Sequence, residues 1–334
     1  MSKVKELIVD VLHYEGESLE IGKTQGKEIL KKSYKIDSDD FNINNSKKVM
    51  QKYAPNLFQE LVGISKGLRR SINHVMTYFS GYNASFPVMG CTTFANDSFY
   101  VRNYDLSPEL YDGRFVFSHS KETYASVGFS EYIIGRLDGM NEKGLVVGLH
   151  LVNQFVREKG FMATTIVRMI LDQCRNVSEA IRLIKRVPHG YCFNFSLLDK
   201  EGKVAKVEAS PENKVVIEKF PMTCTNHFES EGLKENNTKD ITDSGKRQRL
   251  AKENIRRHPT PLQAYHAFNN VDSQLFYKNY ADYFGTLHTV VYVPETLEVI
   301  VGVGGNCVPY SFSLRDWLQG KKSKFTTMCG EIVM

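Results

Sequence analysis

Apolar positions along the chain follow two different rhythms, and the change between them falls close to Met89. Before it, residues 7–14 predict a strand, residues 19–32 a helix and the polar stretch 37–46 a loop. Pro55 then opens a helix in which Leu57, Leu61, Ile64 and Leu68 recur at i, i+4, i+7 and i+11, forming one apolar stripe. Ser71 can cap a further short helix that runs to Phe79. The first ninety residues therefore read as mostly helical.

After Gly90 the texture turns to β. Short apolar and aromatic runs over residues 92–96, 99–103, 115–118, 145–152, 192–198, 204–209, 215–220, 288–293 and 297–303 predict strands. Turn residues separate several of them, as in Asp199-Lys200-Glu201-Gly202 and Pro211-Glu212-Asn213, which predicts hairpins and an antiparallel sheet. Two helices interrupt the strands: one over residues 163–174, the next capped by Ser178 and stopped by Pro188. Strands, a helix pair and strands again indicate an α+β fold with sheets packed against helices.

Composition narrows the class without naming it. The 334 residues are 42% apolar and 24% charged, which excludes a disordered or low-complexity chain. Such a length predicts one large domain with an appended segment. Lys and Arg outnumber Asp and Glu by 43 to 38, a dispersed surplus that suits an acidic substrate and is too small to indicate nucleic acid. No apolar run approaches the roughly 18–20 residues of a membrane span. The first residues show no secretory pattern, so a cytoplasmic location is the expectation. Six scattered cysteines form no CxxC pair, and nine histidines include no HExxH, so neither a metal nor a cofactor is expected.

Two formal motifs carry little. Gly63-Ile64-Ser65-Lys66-Gly67 matches the GxSxG elbow of serine hydrolases, but it lies inside the amphipathic helix rather than on a strained strand-to-helix turn. Gly302-Val303-Gly304-Gly305 follows a strand without a phosphate-binding lysine, and reads as a turn. The stronger candidate is Met89-Gly90-Cys91-Thr92-Thr93-Phe94, followed by Arg102-Asn103-Tyr104-Asp105. A free cysteine is most often a small buried hydrophobe. Cys91, however, stands at the change of texture, follows a residue without a Cβ, and precedes a strand with a guanidinium and a carboxylate. Such groups can bias a thiol toward thiolate and orient an amine.

Further along come Asp138-Gly139-Met140-Asn141-Glu142-Lys143-Gly144-Leu145, Thr225-Asn226-His227-Phe228 and Asp243-Ser244-Gly245-Lys246-Arg247. In this order, the five motifs resemble the N-terminal-nucleophile amidase family that includes penicillin V acylase, bile salt (choloylglycine) hydrolase and isopenicillin N acyltransferase. Ile21-Gly22 with Gln25-Gly26, Tyr53-Ala54-Pro55, Glu60 to Ile64, and Gly285-Thr286-Leu287-His288 resemble the acyltransferase branch in particular.

That resemblance implies a four-layer αββα sandwich made as an inactive precursor. The cut would fall between Gly90 and Cys91, giving a propeptide-like small chain of residues 1–90 and an amidase chain of residues 91–334. Cys91 would then supply the nucleophile and, through its freed α-amine, the base. Arg102 matches the arginine beside the nucleophile, Asp105 the aspartate that holds the amine, Asn226 an oxyanion-hole asparagine, and Arg247 the arginine of the SxxR element. His150 stands where bile salt hydrolases have asparagine; it reads equally as an oxyanion donor or as a core histidine. Asn103, Asn141 and His227 read as structural. The substrate class implied is a small acylated molecule with a linear C–N amide. An acyl thioester is an alternative donor, a homo-oligomer is allowed, and neither nucleic acid nor membrane is a partner.

Two other readings stay open on the residues alone. One is a cysteine peptidase that pairs Cys91 with a histidine such as His288 and never cuts itself. The other is an inert protein that keeps the fold as a binding module.

Overall fold

The computed structural model describes residues 4–30, 43–84, 87–255, 259–280 and 284–334. The end of the helix predicted over 19–32 and the loop predicted over 37–42 lie partly or wholly outside them. Residues 43–46, also expected as loop, begin a helix instead.

Strand β1 (Val4–Gly16) leads into helices α1 (Ser18–Ile29), α2 (Ile43–Tyr53), α3 (Pro55–Leu68) and α4 (Ile72–Phe79). Next come β2 (Gly90–Ala95), β3 (Tyr100–Leu106), β4 (Arg114–Ser120), β5 (Ser126–Glu131), β6 (Gly135–Arg136), β7 (Asp138–Asn141) and β8 (Val146–Asn153). Helices α5 (Ala163–Gln173) and α6 (Val177–Arg186) precede β9 (Cys192–Leu198), β10 (Val204–Ala209), β11 (Lys214–Ile217) and β12 (Met222–Cys224). The remainder is α7 (Thr242–Ile255), α8 (Pro261–Asn269), β13 (Gly285–Val293), β14 (Glu298–Val303), β15 (Tyr310–Ser313), α9 (Leu314–Leu318) and β16 (Thr327–Val333).

The strands form two sheets. One runs β11-β10-β9-β8-β7-β5-β4-β1-β16, with β6 paired to β5; the other runs β12-β2-β3-β13-β14-β15. Helices α1, α5 and α6 pack on the larger sheet and α7, α8 and α9 on the smaller, while β2 meets β8 and β10 meets β12 between the sheets. The result is the expected α+β, four-layer αββα sandwich. Both predicted hairpins are present, β9 with β10 and β10 with β11. Ser71 caps α4 by accepting from the His74 amide. The cap of α6 is Asn176 rather than Ser178: its extended backbone lets the side chain accept from the Glu179 amide, whereas Ser178 already lies in the first turn.

The described part of the first ninety residues is not an appendage. Strand β1 lies inside the larger sheet, parallel to β4 on one side and antiparallel to β16 on the other. Helices α1 and α3 cross so closely that a Cβ on Gly22 would stand 1.9 Å from the Glu60 carbonyl oxygen, and one on Gly63 2.0 Å from that of Leu19. Gly26 and Gly67 extend the same seam. This explains the GxSxG match: its glycines let two helix backbones touch, and Ser65 Oγ donates to the Val62 carbonyl of its own helix.

A buried ion pair ties this helix pair to the rest. Arg168 on α5 donates through Nη2 and Nη1 to Glu60 on α3, at 2.6 and 3.3 Å, and through Nε to both Asp172 oxygens at 2.8 and 3.0 Å. All three side chains are nearly inaccessible to solvent.

Glu60→Ala leaves Arg168 with half its counter-charge in the interior and should lower unfolding free energy by about 3–5 kcal/mol, read by denaturant titration. Gly63→Val should also lower the thermal midpoint, whereas Ser65→Ala should leave midpoint and activity unchanged. Loss of activity in Ser65→Ala with the midpoint intact would return this serine to the list of reacting groups.

Candidate active site

Cys91 is the second residue of β2, held between β12 and β3 and fully buried. Its neighbour across the ladder is Tyr104, and Gly90 lies opposite Asp105. This register brings the strand carrying Arg102 and Asp105 alongside the Gly90–Cys91 peptide.

The sulfur touches a guanidinium. Arg102 Nη2 donates to Cys91 Sγ at 2.9 Å and to the Leu149 carbonyl at 2.7 Å. Its Nη1 donates to the Leu137 carbonyl at 3.3 Å and to Asp138 Oδ2. Burial pushes the Cys91 thiol up to about 11, against the opposing pull of Arg102. The sulfur is therefore a thiol at neutral pH.

The backbone of Cys91 is gripped as firmly. Its amide donates to Asn226 Oδ1 at 2.8 Å, and its carbonyl accepts from Arg247 Nη1 at 2.6 Å. Arg247 also donates to Thr92 Oγ1 at 2.8 Å and, through Nη2, to Asn226 Oδ1 at 2.9 Å. Asn226 Nδ2 donates to the Leu151 carbonyl at 2.8 Å and faces the Met89 carbonyl at 3.5 Å. Its own amide donates to Ser244 Oγ at 2.8 Å, so both the serine and the arginine of the Ser244-Gly245-Lys246-Arg247 element bear on it.

Asp105 lies against the Gly90–Cys91 peptide. Thr286 Oγ1 donates to its Oδ1 at 2.7 Å, while Oδ2 has no hydrogen-bond partner among the described residues. Arg247 Nη1 is 4.0 Å from Oδ2. A Cβ at position 90 would lie 2.7 Å from this same oxygen, so any larger residue there would have to displace the Asp105 side chain. Burial raises the Asp105 carboxyl, with Arg247 and the Thr286 hydroxyl pulling it down.

His150, on β8, is fully buried, with Nε2 2.9 Å from Ser196 Oγ and Nδ1 without a hydrogen-bond partner among the described residues. Burial and the nearby guanidinium groups of Arg102 and Arg247 hold its pKa well below the usual range, so the ring is neutral. Thus all six side chains singled out in the sequence converge on one site. Asn103 and Asn141 do structural work, each donating to two backbone carbonyls in neighbouring elements.

His288 is part of a different environment. Its ring stacks on Phe129 with centroids 3.5 Å apart, Nδ1 is 2.9 Å from the Tyr111 hydroxyl, and Nε2 is 3.9 Å from Asp138 Oδ2. The group at the sulfur is Arg102, which removes the geometric basis for a Cys91–His288 pair. Sequence reading assigned no role to Asp138, Ser244 or Thr286. The first two stood within the quoted motifs, and Thr286 was visible only as part of Gly285-Thr286-Leu287-His288.

Among the described residues, no helix is long and apolar enough to cross a membrane. No curated protein matches the chain. Among solved structures, penicillin V acylase from Agrobacterium tumefaciens matches at 16% identity, covering 68% of this chain and 86% of that one, with a TM-score of 0.48. Two variants of conjugated bile acid hydrolase from Clostridium perfringens match at 13% and 12% identity, each covering 74% of this chain, and 96% and 97% of theirs, both with a TM-score of 0.45. Residues 92–306 match the acyl-coenzyme A:6-aminopenicillanic acid acyl-transferase family, and with nearly two thirds of its length so matched the chain belongs to that family.

Proposed function

We propose that this protein is a self-processing cysteine amidohydrolase or acyltransferase that cuts or forms a linear C–N amide of a small acylated molecule. The observation that carries this reading is the buried Asp105 Oδ2, without a hydrogen-bond donor among the described residues and set against the Gly90–Cys91 peptide. A new α-amine on Cys91 would supply the missing donors.

Processing would begin with attack of Cys91 Sγ on the Gly90 carbonyl carbon. The peptide C–N bond breaks as the C–S bond forms, and the proton from sulfur ends on the departing nitrogen. Water then hydrolyses the thioester, leaving a Gly90 carboxylate, a thiol and a free α-amine. With an ordinary pKa of roughly 7.7–8.0, that amine is poised to take the thiol proton. In turnover, the sulfur attacks the substrate carbonyl, the amine returns its proton to the leaving group, and water or a second amine resolves the thioester.

The other groups fall into matching roles. Arg102 bears on the sulfur and would favour the thiolate as it forms. The Asn226 Nδ2 hydrogen that faces the Met89 carbonyl would be free for a substrate oxyanion once the preceding segment withdraws. Neutral His150, whose ring faces the Cys91 backbone, would be the second donor, and Arg247 would hold Cys91 and Asn226 in register. After the cut, residues 1–90 would stay as a bound small chain because β1 has a neighbour on both sides. An acyl thioester as donor fits the family description, which names acyl-coenzyme A.

Intact mass under denaturing conditions with N-terminal sequencing tests the cut. Two chains that co-purify natively, one starting Cys91-Thr92-Thr93, are expected; a single chain that turns over amides would overturn self-processing. Cys91→Ala should yield a folded, uncut, inactive chain. In a processed background, Asn226→Ala should reduce kcat on the order of 10²–10³-fold, and a near-normal kcat would move the oxyanion hole elsewhere.

A further inference from the structure

Behind Arg102 lies a second buried layer that the reaction above does not use. Asp138, at the start of β7, is fully buried and paired with Arg102 Nη1. Its other oxygen, Oδ1, accepts from the Tyr292 hydroxyl on β13 at 2.6 Å. His288, also on β13, comes no nearer than 3.9 Å and is held neutral chiefly by its burial. Arg102 is therefore the full counter-charge of this carboxylate, and its two terminal nitrogens divide cleanly: one answers Asp138, the other the sulfur.

The geometry points to Asp138 as a positioning residue for the reaction: from one layer behind, it fixes the direction in which Arg102 faces and the share of its charge that reaches the Cys91 sulfur. Tyr292 tunes that share, because a hydroxyl donated to Oδ1 draws negative charge away from the oxygen that faces the guanidinium. Without the Asp138 charge more of the guanidinium's field would fall on the sulfur, and an arginine turned fully to Asp138 would not reach it. The inference depends on Cys91 being the reacting group for its meaning, but thiolate formation can be read without turnover.

Several groups bear on this titration. Cys91 is faced by Arg102, Asp105 and Tyr104 from β3, Arg247 from α7, Cys224 from β12 and His150 from β8. Asp138 is faced by Arg102 and Tyr100 from β3, His288 and Tyr292 from β13, and Tyr111 from the segment before β4. Of these, only Tyr292 donates to Asp138 without also contacting the sulfur's neighbours by hydrogen bond, so its removal isolates the charge.

The test is the pH dependence of thiolate absorbance in the far ultraviolet, taken as the difference between each protein and its Cys91→Ala counterpart. Asp138→Asn keeps the shape and removes the negative charge. The thiolate population below the midpoint should rise by about tenfold, a shift of about one pH unit downward. Tyr292→Phe leaves the carboxylate less shared and should shift the midpoint upward, with about two- to threefold less thiolate. Opposite shifts are the expected result, since mere loosening of the packing would move both variants the same way. Unchanged midpoints in folded variants, or shifts of one sign, overturn the proposal. Where Asp138→Asn fails to fold, the sign of the Tyr292→Phe shift decides. An inactive wild type that gives these opposite shifts would overturn the catalytic reading of Cys91 and leave the electrostatic one standing.

Discussion

A guanidinium buried between two sheets is the constraint on which the rest of this structure turns. Arg102 projects from β3 of the smaller sheet and reaches the Leu137 and Leu149 carbonyls and Asp138 of the larger one. Burying such a charge costs several kcal/mol unless it is paired and hydrogen-bonded. The answering groups are the ones that close the sandwich, together with the sulfur of Cys91. Sheet packing and the placement of the Cys91 sulfur are thus one interaction, and the site cannot loosen without opening the core.

The same economy explains the chain before Cys91. Its helices meet over glycines, its ion pair to Arg168 is internal, and its first strand completes hydrogen bonds for both β4 and β16. A segment that were merely protective would offer an exposed face to the enzyme it covers; this one shares its core.

Much of this was legible in the residues, and the omissions have physical causes. The nine strands read from apolar runs are present, most with a core-facing row of β-branched or aromatic side chains; the run over 215–220 overreached, since β11 ends at Ile217 and is only half-buried. Strands β5 and β7 were missed: Ser-Val-Gly-Phe-Ser-Glu and Asp-Gly-Met-Asn are buried throughout, so burial writes no alternation into them. Helix α7 was missed for the opposite reason. Its buried residues, Ser244, Arg247, Gln248 and Ala251, have helical spacing but are mostly polar, since the face they present is occupied with holding Asn226 and Cys91. A search for apolar stripes passes over a helix whose inward face is given to hydrogen bonds. The resemblance in the five ordered motifs recovered Arg247 where periodicity had no signal.

Strand β1 carries one more consequence, which concerns the order in which the fold assembles. The α1–α3 seam joins elements close in sequence, a contact of low loop-closure cost that can form early. The β1–β16 ladder, by contrast, pairs Val4 with Val333, and no local event can substitute for it. The first strand must therefore remain unpaired on one edge while nearly everything else in the chain collapses around it. Such a waiting edge is open to a wrong partner during folding.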